Sequence, residues 1–373
     1  MRDFIHDVPA ARLVFGSGFI SRASAEADRL KAKSVMLISG GPESIYADAV
    51  AEQLGNKLSS RFSNVVMHVP VEVARLAIEQ ARDTAADLLL AVGGGSSIGM
   101  AKAVAKELHL PILAIPTTYA GSEMTSIWGM TQNSRKTTGR DLAVLPATVI
   151  YDPETTLTLP VDLSMASGMN ALAHLIEALY APDVSPISVL QCQEGIRLLA
   201  HSLPLIKQNP LDLEARSEAQ FGSSLAGWAL GTNAMGIHHK ICHTLGGTFN
   251  LPHAQTHSAV IAYATAFNEL DAPFAMGVIR AAFLEAGFDA PSAAAAVWQL
   301  ANSIGAPTNL HDLGFTANDI PQTVEIVVAG QPTNPRLVDP DGVRELLSAA
   351  IEGKVPTSSA PLRITRSNKL KEK

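Results

Sequence analysis

From Lys33 onward, short apolar runs alternate with stretches in which apolar positions recur every three or four residues. The runs are SVMLIS, NVVMHV, DLLLAVGGG and PILAIPTT, and the helical stretches between them extend to about Leu58, through Ala85 and through Leu108. Strands that alternate with helices predict βαβ units and a parallel sheet, because parallel neighbours need a long crossover. Leu88 to Val92 is apolar at every position, which predicts a central strand buried on both faces. After Thr125 the pattern is irregular, with TSIWGMTQ and ATVIYD expected as strands around a polar, basic connection from Asn133 to Asp141.

The segment PETTLTLP, Pro153 to Pro160, punctuates the chain, and beyond it the strand signals give way to Ala/Leu-rich helical periodicity. Helices are predicted over Met165–Tyr180, Pro186–Leu203, Leu213–Leu230, Gly236–Leu245, His257–Asn268 and Pro291–Ile304, with shorter ones up to Ile351. A chain of 373 residues exceeds what one core usually supports. The expected organisation is an α/β domain over 1–160 and an all-helical domain over 161–361. The polar, basic stretch 362–373 has no pattern and reads as a frayed end or an artefact of expression.

Composition narrows the function. Hydrophobic residues make up 47% and charged residues 17%, a globular balance. A net charge of −7 with no arginine-rich stripe argues against a nucleic-acid partner. Cys192 and Cys242 are too few for a disulfide framework and fit a reducing, cytoplasmic setting. The first residues, MRDFIHDVPAARLVFGSG, are broken by acids and proline where a signal peptide needs an apolar stretch, and no run is long enough to span a bilayer.

Two groups of residues carry chemistry. Gly93, Gly94, Gly95, Ser96 and Ser97 follow the apolar strand and precede a helix expected to begin near Ile98. Backbone N–H groups there can approach a pyrophosphate without obstruction by Cβ atoms, although the pattern is not GxGxxG and also suits a simple tight turn. A second turn, PTTYAGSE, would bring Thr117, Thr118 and Ser122 to the same carboxyl edge of the sheet, where open α/β sheets bind ligands. The second group is helical. Asn170 and His174 are four apart, His239 and His243 repeat that spacing, and His253 follows in an apparent loop, NLPHAQTH. Convergent imidazoles bind metal, transfer protons, or both. His238 and His257 read as packing, and so does Cys242, which helical geometry turns about 100° from its neighbours.

The set GGGSS…AK, PTTYAGSE, SGMNALAHLIEALY, HHKICHTLGG and LPHA, in this order, resembles the iron-containing (group III) alcohol dehydrogenase superfamily over most of residues 5 to 350. Within it, YAGSEMTSIWGMT, KTTGRD and LPATVIYDPETTLTLP are similar to the maleylacetate reductase branch. The resemblance implies a dehydroquinate synthase-like fold: an NAD(P)-binding α/β domain, a helical domain, a cleft between them and a homodimer. It also implies a metal site at the positions of Asn170, His174, His239 and His253, with Asn170 standing where the family has aspartate and Gly99 where GGGSxxD has its aspartate. Loss of the only anionic ligand lowers divalent affinity, and the expectation is a reaction without metal.

That branch reduces a carbon–carbon double bond conjugated with a ketone, so hydride delivery develops enolate charge that hydrogen-bond donors can stabilise. His243 and His253 are then the expected proton donor and enolate partner, with Asn170, His174 and His239 shaping the pocket. A dicarboxylate substrate needs cations, for which Lys136, Arg140 and Lys240 are candidates, with Arg135 in the same basic cluster. The second strand ends SGGP, so Ser39 and Gly40 would meet the cofactor ribose and no carboxylate excludes a 2′-phosphate. NADH is the expected cofactor, with NADPH accepted. Competing readings are a metal-dependent dehydrogenase of small alcohols, a metallohydrolase or hydratase built on the histidines, and a non-catalytic nucleotide-binding protein.

Overall fold

A computed structural model describes residues 4, 6–7, 11–41, 44–132 and 135–356, so the tail 362–373 lies outside the described residues. Six strands form one parallel sheet: β1 (Arg12–Phe15), β2 (Val35–Ser39), β3 (Leu58–Phe62), β4 (Leu88–Gly93), β5 (Ile112–Pro116) and, after a hairpin, β8 (Thr148–Tyr151). The spatial order is β1-β8-β5-β4-β2-β3. Helices α1 (Ala23–Arg29) and α2 (Ser44–Leu54) cover one face, and α3 (Val71–Asp83) and α4 (Gly95–Leu108) cover the other. Val35, Leu37, Leu88 and Leu90 pack with Ala27 and Val50, whereas Met36, Ile38, Leu89 and Ala91 pack with Ala77 and Val104. Two covered faces explain why β4, and β2 up to Ser39, carry unbroken apolar runs.

Several expected boundaries are corrected. NVVMHV is not a strand: Val66 and Met67 are exposed, and His68 and Val69 take positive φ, 65° and 49°. The third strand is LSSRF, whose burial largely alternates because it lies at the sheet edge and needs no continuous apolar run. The connection from Asn133 to Asp141 contains strand β7 (Arg135–Arg140), which pairs antiparallel with β6 (Ile127–Gln132) from Ile127↔Arg140 to Gln132↔Arg135. Helix α4 begins at Gly95 rather than near Ile98, since the last glycine of the turn adopts helical backbone after the extended N-cap Gly94.

Past a short 3₁₀ turn at Pro153–Thr156, the remaining elements are helical: α5 (Val161–Leu179), α6 (Pro186–Gln208), α7 (Leu213–Thr232), α8 (Ile237–Phe249), α9 (His253–Asn268), α10 (Pro273–Glu285), α11 (Ala293–Ile304), α12 (Ile320–Ala329) and α13 (Pro340–Glu352). Helix α10 was not expected from the pattern. Helix α9 starts four residues before the expected position, with Pro252 as its extended N-cap, so His253 opens a helix instead of lying in a loop. Helix α5 is the axis of this half: every residue from Ser164 to Leu179 is buried. Gly168 and Gly195 allow that density, since a Cβ at either would collide with a leucine of the facing helix, Leu203 or Leu175. Among the described residues no helix is long and apolar enough to cross a membrane.

Candidate active site

The glycine turn and the second strand end at one edge. In register, Ser39 pairs with Val92 and Gly93 with Pro116, so Ser39, Gly40, Gly93, Gly94, Gly95, Ser96, Thr117 and Thr118 line the carboxyl ends of β2, β4 and β5. The order in which the parallel strands are added reverses between β2 and β4, where open sheets leave a crevice for a ligand. Gly93 has φ 141°, and Gly94 is so close to the next turn that a Cβ would lie 2.9 Å from Thr118 Cγ2. No side chain caps α4, leaving its first N–H groups facing this crevice. Uncapped helix N–H groups at a switch point fit a pyrophosphate. Gly99, where the family carries aspartate, is closely packed: a Cβ there would lie 3.0 Å from Val69 Cγ2, so the valine would have to shift slightly to admit a side chain.

In the helical half, six imidazoles form one contiguous cluster. Ring centroids are 5.0 Å apart for His174 and His239, 5.9 Å for His239 and His243, 6.4 Å for His243 and His253, and 4.4 Å for His253 and His257. His238 and His257, expected to be packing residues, are both fully buried and belong to the cluster, each within 5.2 Å of His239. Starting α9 at His253 accounts for this, since His257 then lies one turn along the same face. The cluster is graded: His174, His238, His239 and His257 are buried, whereas His243 and His253 are exposed. Burial holds His174, His239 and His257 well below the usual histidine range, neighbouring imidazoles add to that, and His238 is lowered to about 4. These four are neutral at pH 7.

Glu177 organises the buried imidazoles and was absent from the sequence reading. It lies on α5 three residues after His174, completing the helical face Asn170, His174, Glu177. Its carboxyl is fully buried and receives four hydrogen bonds: Oε1 from His238 N (2.9 Å) and Tyr180 Oη (3.2 Å), Oε2 from His239 N (3.3 Å) and His239 Nδ1 (2.5 Å). Burial raises its pKa, but the donors, at the N-terminus of α8, favour the carboxylate. Held by that carboxylate, His239 keeps its proton on Nδ1 and presents the Nε2 lone pair to the cavity. The spacing was the available signal for Glu177.

Two glycines on α7 join the halves. A Cβ at Gly227 would lie 2.7 Å from Gly121 O, and one at Gly231 would lie 2.9 Å from Met124 O, so only a bare helix face admits the turn after β5. Gly121, with φ 79°, sits close to the chamber: its Cβ would be 3.6 Å from His174 Nδ1. Behind the turn, Tyr119 N donates to Ser167 Oγ on α5 (3.0 Å), and the fully buried Arg216 donates to Tyr119 Oη (3.3 Å) and Ser164 Oγ (2.7 Å). The edge that fits a dinucleotide thus abuts the imidazoles.

The donor set limits what metal it would hold. Asn170 Oδ1, His174 Nδ1 and His239 Nε2 are buried and meet no hydrogen-bond partner among the described residues. They are all neutral, and the nearest carboxylate, Glu177, is committed to α8. Without an anionic ligand the set fits a weakly held ion rather than a permanent one. The expected substrate cations are placed differently. Arg140 is exposed on β7 and donates to Gly231 O (2.8 Å) and Leu230 O (3.4 Å) at the end of α7. Lys240 lies over Gly330 at the end of α12, where a Cβ would collide with it. The side chain of Lys136 lies outside the described residues. Cys242 is buried core, its thiol raised well above the usual range by burial. Ser122 opens a 3₁₀ turn just beyond Gly121, half-buried.

Comparison with known proteins agrees with this geometry. Residues 10–153 match the iron-containing alcohol dehydrogenase model, and residues 164–351 match the C-terminal model of the same family. The chain is 45% identical to a maleylacetate reductase of Sphingobium indicum, covering 95% of this chain and 99% of the relative. A crystal structure of a maleylacetate reductase from Agrobacterium tumefaciens superposes with a TM-score of 0.91 at 40% identity, covering 95% of this chain and 100% of that one. An iron-containing alcohol dehydrogenase from Corynebacterium glutamicum superposes with a TM-score of 0.90 at 47% identity, covering 95% and 98%. With both halves matched and the glycine edge and histidine chamber in contact, the chain belongs to the iron-containing alcohol dehydrogenase family and is similar throughout to its maleylacetate reductases.

Proposed function

We propose that the chain is a maleylacetate reductase, reducing the carbon–carbon double bond of maleylacetate to 3-oxoadipate with a reduced nicotinamide cofactor. The observation that carries this is the close approach of Gly121 to His174, where an added Cβ would lie 3.6 Å from Nδ1, so that the dinucleotide edge adjoins the imidazole chamber. The identity of the maleylacetate reductases over nearly the whole chain supports the substrate. When bound, the reduced nicotinamide supplies a hydride to the alkene carbon distant from the ketone. Hydrogen-bond donors of the chamber then meet the developing enolate oxygen, and a general acid protonates the carbon beside the ketone.

His243 and His253 take these two roles in this reading. They are exposed, so a proton given to the substrate can be replaced from solvent, whereas the neutral buried imidazoles behind them cannot be recharged cheaply. Asn170, His174 and His239 shape the pocket. No divalent ion is required in this reading, because the Asn170 amide leaves the donor set without a negative charge. NADH is the cofactor and NADPH is accepted, since β2 ends at Ser39 and Gly40 follows it, with no carboxylate to repel a 2′-phosphate.

The test is NADH oxidation at 340 nm with freshly generated maleylacetate. His243→Ala and His253→Ala are each expected to lower kcat by about 10²- to 10⁴-fold, the range of general acid catalysis. If both retain wild-type kcat, the proton-transfer assignment is wrong. The free lone pairs of Asn170, His174 and His239 favour one second reading, a metal-dependent dehydrogenase of small alcohols. Stoichiometric metal whose chelation abolishes turnover selects it.

A further inference from the structure

Lys102 lies on α4, two helical turns after Gly95, and is 1% exposed. Its Nζ faces four oxygens, Ser122 O (2.6 Å), Thr125 O (2.7 Å), Thr125 Oγ1 (3.0 Å) and Ile127 O (2.8 Å), which share its three N–H donors. All four acceptors belong to the six residues that follow Gly121. Burial draws the lysine pKa down to about 7, with Glu123 opposing, but a neutral amine would leave some of these oxygens unpaired. The protonated side chain is the form the site accommodates. On its other side the same segment is seated on α7, with Gly121 against Gly227 and Met124 O against Gly231. The segment is therefore gripped between the cofactor helix and the helical domain.

We propose that Lys102 is a positioning residue for hydride transfer, holding the turn at Gly121 so that the nicotinamide edge and the imidazole chamber stay in register. This rests on the reductase reading. Lys102 touches neither the Gly94–Ser96 turn nor the end of β2, so cofactor affinity residing in the phosphate and ribose contacts does not depend on it. A turn relaxed by about 1 Å at the reacting end costs rate on the order of 10²-fold.

The experiment compares wild type with Lys102→Met, close in length and without donors, and Thr125→Val, which removes one acceptor and keeps the ammonium. Maleylacetate turnover, the primary isotope effect with 4-deuterated NADH, NADH affinity by its own fluorescence, and melting temperature are measured together. For Lys102→Met, kcat is expected to fall about 10²-fold with the isotope effect raised and NADH affinity within about threefold. Thr125→Val is expected to show a smaller loss of the same kind, and it decides the matter if the lysine variant does not fold. A lowered melting temperature with kcat intact overturns the proposal, and so does a loss carried by NADH affinity. Failure of the reductase reading is separately visible, as wild-type enzyme that binds NADH but does not oxidise it with maleylacetate.

Discussion

Replacing Glu177 by glutamine preserves shape and removes charge at the point where α5, α8 and His239 meet. The carboxylate accepts two bonds on each oxygen. In the variant one of those positions becomes an NH₂ group facing two donors. The less costly orientation puts it toward Tyr180, whose hydroxyl can turn to accept, and leaves His238 N–H unsatisfied at about 1–3 kcal/mol. Loss of the negative charge at the N-terminus of α8 adds about 0.3–2 kcal/mol, and the His239 bond loses its charge assistance, about another 1 kcal/mol. Relief of the burial penalty that raises the Glu177 pKa offsets part of this, so a net destabilisation of about 2–4 kcal/mol is expected. The kinetic consequence is separate. With Nδ1–H held by a neutral amide oxygen instead of an anion, the His239 tautomer and ring orientation are fixed less firmly, and kcat should fall about 10- to 100-fold, as for other residues that orient a site imidazole. Denaturant unfolding measures the first quantity and NADH oxidation with maleylacetate the second. A Glu177→Gln enzyme that is destabilised yet turns over within twofold of wild type would refute the orienting role.

The buried histidines also predict an acid limit to stability. His174, His238, His239 and His257 are neutral when folded and take up protons near pH 6.5 when unfolded, so stability is full above that pH and falls as pH drops toward 4. Glu177 acts oppositely, because its raised folded pKa offsets part of that loss. Melting temperature against pH checks this, and a flat profile between pH 7 and 5 contradicts it. Asn170→Asp restores an anionic oxygen to the set and should tighten Zn²⁺ binding by at least about tenfold, by calorimetry on metal-stripped protein. Equal affinities in the two proteins would show that the amide is not what weakens the site.

Much of the architecture is local in origin. Unbroken apolar strands followed by glycine turns specify a parallel sheet with ligand-binding ends, since β2 and β4 must be buried on both faces wherever the rest of the chain goes. Helix faces are similarly legible: Asn170, His174 and Glu177 share one face of α5 through spacing alone, and Glu177 was missed because a lone carboxylate on an apolar helix carries no visible partner. The pattern misleads where burial is one-sided. NVVMHV looks like a strand and is not, while LSSRF forms the sheet edge because that position needs only one apolar face.

What no pattern contains is the meeting of distant segments. That Gly121 rests on Gly227, that Lys102 reaches the carbonyls of Ser122, Thr125 and Ile127, and that Glu177 holds α8 and His239 all depend on contacts between residues twenty or more positions apart. Residue types and their periods record which faces must be hidden from water, because hydrophobic burial is non-directional and acts on each element separately. They do not record which hidden face meets which, and hydrogen bonds and close glycine contacts exist only once that choice is made. The chamber's ingredients were therefore written along the chain, while its depth, its neutral interior and its seam with the sheet edge arose from folding.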